Sequence, residues 1–234
     1  MALYKVIFRF FSENLKVFLQ GLSMKDVLIP IVFPEYKITV DTPRKDVDLI
    51  PWVSFDNFTI QSSTQKLSNL GHAGILIVNG ISGLTKYYEF GRYDYPEEKG
   101  IVRRVPVPDA KVSTSGVEPK SLISVLDKVS KIAGRATRIE GVYIEATDVF
   151  EKLNQKVILQ KAQNNNPNRK EYDLTSNSCI HFVKRLVEAA GKETPWMIDP
   201  RPASYIGEFR DDYRDLDYYP SSKRLVIEAV GEYS

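Results

Sequence analysis

Residues 175–191, TSNSCIHFVKRLVEAAG, hold the chain's only cysteine and one of its two histidines. Cys179, Phe182, Val183, Leu186, Val187 and Ala190 recur at helical spacing and form one apolar stripe, which predicts a helix closed by Gly191. Thr175, Ser176, Asn177 and Ser178 crowd the capping position, so Cys179 falls in the first turn. Unpaired backbone N–H groups there stabilise a thiolate and can hold an oxyanion, advantages that a mid-helix cysteine lacks. Free cysteine is also among the most buried residue types, and a place on an apolar stripe serves core packing equally well.

A thiolate nucleophile of the protease kind needs a base, usually histidine. His181 lies two residues past Cys179, roughly 200° around a helix, and so points away from it. It reads as a packing or hydrogen-bonding residue near the site. His72 stands between Gly71 and Gly74 at the mouth of the apolar run Ile75–Val78, where small neighbours let another element approach closely. A strand-end histidine satisfied by a loop fits the same spacing, and only folding decides whether His72 meets Cys179.

The 234 residues, 43% of them hydrophobic, suffice for a sizeable core. Lys and Arg number 32 against 30 Asp and Glu, with no basic stripe, which argues against nucleic acid as a partner. One cysteine excludes an internal disulfide and a thiolate-rich zinc site. Two histidines with no carboxylate placed beside them make no zinc site either, so neither metal nor other cofactor is expected. The apolar N-terminus, MALYKVIFRFFSENLKVFLQGL, is interrupted by Lys5, Arg9, Glu13 and Lys16. It predicts a packed amphipathic element, with no signal peptide and no membrane span. That leaves the cytoplasm, or a secretion route that reads no cleavable N-terminal signal.

From Leu28 to Ile60, repeated prolines and β-branched residues predict short strands and extended segments, and QSSTQKLSN (61–69) a loop. Ile75–Val78 and Lys86–Tyr93 predict a hairpin, GIVRRVPVPDA (100–110) a third strand ended by its prolines. EPKSLISVLDKVSKIAG (118–134) predicts a helix, RIEGVYIEA (138–146) a strand, and DVFEKLNQKVILQKAQ (148–163) a second helix followed by a loop. The C-terminal PWMIDPRPASYIGEFRDDYRDLDYY (195–219) reads as a packed wrap with a solvated face.

Two patches together carry a resemblance. GHAGILIVNG (71–80) resembles the histidine strand of NlpC-type cell-wall peptidases. YDLTSNSCIHFVKRLVEAAG (172–191) resembles the cysteine helix of circularly permuted members of that papain-like superfamily, lecithin:retinol acyltransferase-like proteins included. Here His72 precedes Cys179, the permuted order, and the resemblance spans Leu70 to Gly191, about half the chain. It implies an α+β, circularly permuted papain-like fold, its central antiparallel sheet packed against helices that include the cysteine helix. The whole chain, 1–234, would be one domain: an N-terminal strand and extended region (1–65), a catalytic core (66–192) and a C-terminal wrap (193–234).

The same resemblance implies Cys179 as nucleophile and His72 as general base, with a polar residue on the adjacent strand orienting the imidazole. In KYYEFGRYD (86–94) Glu89 is the most suitable acceptor, with Tyr87, Tyr88 and Arg92 as other polar neighbours. A glutamate departs from the His, Asn or Gln more usual there. Asn177 and Ser178 would shape an oxyanion pocket or cap the helix, and His181 and Tyr88 are secondary site residues. The implied reaction is acyl transfer on an amide, first of all as a peptidoglycan amidase or endopeptidase. A chain of this kind also looks like antibacterial effectors delivered by contractile secretion machines, which act in a target cell's periplasm and have a dedicated inhibitor, an immunity protein. A lipid acyl hydrolase, thioesterase or acyltransferase of the same fold is the alternative, and would show an apolar groove beside Cys179 where a cell-wall enzyme shows a polar cleft. A non-catalytic binding module is the other alternative, favoured if His72 and Cys179 lie apart or the thiol is sealed under side chains.

Overall fold

DVLIPIVF, Asp26–Phe33, is buried along its whole length, so both its faces meet a core and the strand belongs in the middle of a covered sheet. A computed structural model of the chain describes residues 24–36, 38–40, 45–48, 57–60, 65–67, 71–93 and 99–230. The amphipathic element expected at the N-terminus lies outside them. In chain order the strands are β1 (Asp26–Phe33), β2 (Ile38–Val40), β3 (Lys45–Asp48), β4 (Asn57–Ile60), β5 (Gln65–Leu67), β6 (His72–Val78), β7 (Thr85–Gly91), β8 (Ile101–Val105), β9 (Val112–Ser113), β10 (Gly116–Val117), β11 (Ile139–Ala146), β12 (Arg214–Tyr219) and β13 (Arg224–Ile227). The α-helices are α1 (Pro119–Ile132), α2 (Phe150–Ala162), α3 (Cys179–Ala189) and α4 (Pro202–Phe209).

The protein is α+β, built on a seven-stranded sheet in the order β13-β12-β11-β1-β6-β7-β8. Every neighbouring pair in it is antiparallel. Alternation along the strands sends two sets of apolar side chains to opposite faces. Leu28, Val32, Ile75, Ile77 and Ile144 meet α2, α3 and α4 on one face. Ile29, Ile31, Leu76, Ile139 and Leu216 meet α1 on the other. Pro30 sits in the central strand, where a missing N–H is a liability. The β1–β11 register accordingly skips Ile29 and Pro30, resuming at Ile31 opposite Gly141. Gly141 is small for a reason: a Cβ there would come 2.4 Å from the Pro30 carbonyl oxygen.

Asp26 ties the start of the sheet to its surroundings. Its buried carboxylate accepts from Gly80 N–H and from Val149 and Phe150 N–H, each at 2.8 Å, and so caps α2 from another element. The hairpin, third strand, both middle helices and the cysteine helix fall where the sequence puts them. Two expectations are corrected. Gln65–Leu67, read as loop, forms β5 and pairs with β2. The C-terminal segment is no mere wrap: α4 packs on the face shared with α3, and β12 and β13 extend the sheet itself. RDLDYY buries Leu216 and Tyr218 by period-two alternation, a signal masked by its charged residues.

Candidate active site

The site forms where the first residue of β6 meets the first turn of α3. Gly71 enters β6 at φ +71°, a left-handed conformation glycine adopts without strain, and His72 follows it. Across the ladder His72 pairs with Phe33, whose ring stacks on the imidazole at 6.5 Å and 15°. Phe33 is backed in turn by Gly134 after α1, where a Cβ would lie 2.3 Å from the Phe33 ring.

Glu89, wholly buried on β7, stands beside His72: its Oε2 lies 3.2 Å from His72 Nε2. Tyr93 brings its hydroxyl to the same nitrogen at 3.0 Å. Arg103, opposite Glu89 on β8, donates from Nε to Glu89 Oε1 at 2.5 Å. Tyr87 donates its hydroxyl to Glu89 Oε2 at 3.3 Å, and Gly74 makes room for it, since a Cβ there would be 2.2 Å from that oxygen. The close approach expected beside the glycines of GHAG is therefore made by Tyr87.

On the other side Cys179 opens α3, buried with 1% exposure. The groups that act on its sulfur are the His72 side chain, the Ala73 N–H and the Tyr172 hydroxyl. Burial raises the thiol's pKa, but the bonds and charge of His72, with Ala73 N–H and Tyr172, outweigh it and hold it below its ordinary value. Burial would also lower the imidazole's pKa, yet Cys179 and Glu89 push it up to about 10. Glu89, despite burial, is held below the ordinary carboxylate value by His72 and then Arg103. The arrangement thus favours a thiolate–imidazolium pair with a carboxylate behind it.

The remaining expected residues fall elsewhere. Ser178 is the N-cap of α3, and His181 Nδ1 accepts from Ser178 N–H at 3.3 Å and pairs with its hydroxyl at 2.9 Å. Asn177 donates to Glu171 C=O at 2.8 Å and bridges Asp173 through its backbone, fixing the loop before the helix. Tyr88 points to the opposite face of β7 from Glu89 and donates to Asn154 at 2.8 Å, so it is not brought to the site. Tyr172, absent from the expected set, accepts from Cys179 N–H at 3.4 Å and covers the thiol, its ring stacked on Phe90 at 5.6 Å. Tyr93 and Arg103 are the other missed neighbours. The cross-strand position of Arg103 opposite Glu89 was the signal that could have found it.

The structure thus defines an α+β protein with a buried Cys–His–Glu constellation at one end of its sheet. The chain belongs to the type VI secretion system effector TseH-like family, whose sequence model matches residues 28–195. A crystal structure of the type VI secretion system effector TseH is similar in fold and sequence, with a TM-score of 0.71 and 32% identity over 88% of this chain and 98% of that one. No curated protein sequence matches the chain closely enough to count as a relative.

Proposed function

We propose that this type VI effector-family protein is a cysteine hydrolase of circularly permuted papain-like fold that cuts an amide bond in peptidoglycan. The observation that carries the reading is that Cys179, at the first position of its helix, is brought to His72, whose imidazole is backed by Glu89. Cys179 thiolate attacks the amide carbonyl carbon, and the electron pair displaced onto oxygen is met by the Cys179 N–H at the helix start. In the resting site the Tyr172 oxygen occupies that N–H. An incoming carbonyl displaces it, and its hydroxyl is then placed to donate to the same oxyanion. His72 imidazolium protonates the leaving nitrogen, the C–N bond breaks, and a thioester forms. Water, losing a proton to His72, attacks the thioester, and the C–S bond breaks to regenerate the thiolate. Glu89 orients the imidazole and stabilises its charge.

The rim favours a polar substrate over a lipid, because Tyr36, Tyr93, Tyr172, Arg92, Arg103 and Arg135 surround the pair. Family membership supports delivery by secretion machinery and a cognate immunity protein as partner. Among the described residues no helix is long and apolar enough to cross a membrane. One observation favours a second reading, a non-catalytic binding module: Cys179 is only 1% exposed under Tyr172. Wild type and Cys179→Ala incubated with purified peptidoglycan, and separately with phospholipid, separate the cases by product mass. Cysteine-dependent wall fragments are expected. Fatty-acid release with an intact wall overturns the amidase, and no cysteine-dependent product on either substrate overturns the enzyme.

A further inference from the structure

Arg103 has 41% of its side chain exposed, yet its guanidinium ends against a carboxylate with no exposure at all. From across the ladder it donates from Nε to Glu89 Oε1 at 2.5 Å, and its Nη2 pairs with the same oxygen. The other oxygen, Oε2, is left for His72 Nε2 and the Tyr87 hydroxyl. The same guanidinium lies 4.2 Å from the centre of the Tyr93 ring, and Tyr93 brings its hydroxyl to His72 Nε2. One cation therefore holds both groups that meet Nε2. Building on the hydrolase reading above, we infer that Arg103 is a positioning residue, which keeps Glu89 anionic and aimed at His72 through the whole cycle, so that the imidazolium proton goes to the substrate and never to Glu89.

A carboxylate shut off from water stays ionised only beside a cation. His72 is such a cation in the resting site, but its charge is lost during turnover: the imidazolium gives its proton to the leaving nitrogen and takes one from water only later. Between those two steps a neutral imidazole faces the buried carboxylate, 3.2 Å away. The described groups that meet Glu89 are His72 on β6, Tyr87 on β7, Tyr93 past its end and Arg103 on β8. Tyr36 and Cys179 act one contact further out, on Arg103 and on His72. Of the groups that meet Glu89, the guanidinium alone cannot be deprotonated, so its charge persists at every step. A neutral amide at position 89 would need no such partner; the glutamate makes one necessary. Geometry adds direction, because two nitrogens on Oε1 and a face laid on Tyr93 fix the plane of the fork.

Purified peptidoglycan serves as the turnover probe and iodoacetamide as the probe of Cys179. Both are applied to wild type, Arg103→Met, Arg103→Lys, Glu89→Gln and the double variant Arg103→Met/Glu89→Gln. Arg103→Met is expected to lower kcat about 10–100-fold with KM little changed, the scale of a hydrogen bond between ionised partners. The acid limb of its alkylation profile should move to higher pH, because a buried carboxylate without its guanidinium takes up a proton sooner. Arg103→Lys, which keeps the charge without the two-nitrogen grip, should recover part of both effects. In the Glu89→Gln background, Arg103→Met should change kcat by about twofold or less and leave the profile where it is, since both act through one group. Losses that multiply in the double variant, or a raised KM at unchanged kcat, mean that Arg103 meets the substrate directly and overturn the inference. An unmoved profile in both Arg103 variants overturns it as well. A wild type without Cys179-dependent turnover defeats the hydrolase reading, and a profile that still moves with Arg103 leaves the assignment standing. If Arg103→Met loses its native circular dichroism, Arg103→Lys carries the same comparison.

Discussion

The mouth of β6 and the cap of α3 each hold one of the chain's two histidines, and the two surroundings drive the imidazoles in opposite directions. At His72 burial opposes the charge, but Cys179 and Glu89 overcome it and the pKa rises to about 10. At His181 burial again opposes the charge, and the cations Arg185 and Lys170 reinforce it, overriding Thr175 and Asp173, so that the pKa falls to about 4. Enclosure sets a common penalty on the imidazolium, and the neighbouring charges decide which form survives it. One ring is kept as a cation beside a sulfur. The other is kept as a neutral acceptor for Ser178.

Substituting each histidine breaks the comparison most sharply. His72→Ala is expected to lower kcat on peptidoglycan by about 10²–10⁴-fold, the usual worth of a positioned acid–base group. His181→Ala should leave kcat within about threefold and cost about 1 kcal/mol through the lost cap, read as a shifted denaturation midpoint. Comparable losses of turnover in the two variants would mean that the cap histidine also serves the chemistry.

Glu89→Gln sharpens the contrast from the strand side. It keeps the size of the buried group but removes the anion that favours the imidazolium, so the His72 pKa falls and the thiolate loses its counter-ion. The pH profile of iodoacetamide alkylation at Cys179 should move to higher pH in this variant, whereas His181→Gln should leave it where it is. An unmoved profile in Glu89→Gln would show that the helix start, Ala73 N–H and Tyr172 hold the thiolate without help from Glu89.

The smallest effect lies in stability against pH. His181, with its folded pKa at about 4 against an ordinary 6.5, gives a contribution present above 6.5 and lost as pH falls toward 4, because the unfolded chain takes up the proton first. His72, raised to about 10, gives one present below 6.5 and lost as pH rises through 10. Cys179, lowered from 9.0, has the opposite slope on the alkaline side, so the two partly cancel up to about pH 9. Melting temperatures followed from pH 7 to 4 should therefore fall less in His181→Gln than in the wild type.

Much of this was legible in the sequence because it is local. The apolar stripe from Cys179 to Val187, the capping cluster before it and the alternating strand after His72 each carry their own periodicity. Glu89 was within reach once a strand was placed beside β6. Tyr172 was missed although it lies seven residues before Cys179, because its approach depends on how the loop folds back, held by Asn177 and Asp173. Tyr93, Arg103 and the rim formed by Tyr36 and Arg135 come from four separate elements, and no short-range pattern joins them. β12 and β13 were missed for a related reason: Asp215 and Asp217 are held by Arg210, so residues that read as solvated are partly enclosed.

The cover formed by Tyr172 also bears on how long the protein stays intact. A lone sulfur has no second thiol within its own chain with which to form a protective reversible bridge, and over-oxidation of such a group ends in permanent loss. Buried and held against the Tyr172 hydroxyl, it is shielded from peroxide and foreign thiols, so enclosure takes the place of a second thiol in guarding it.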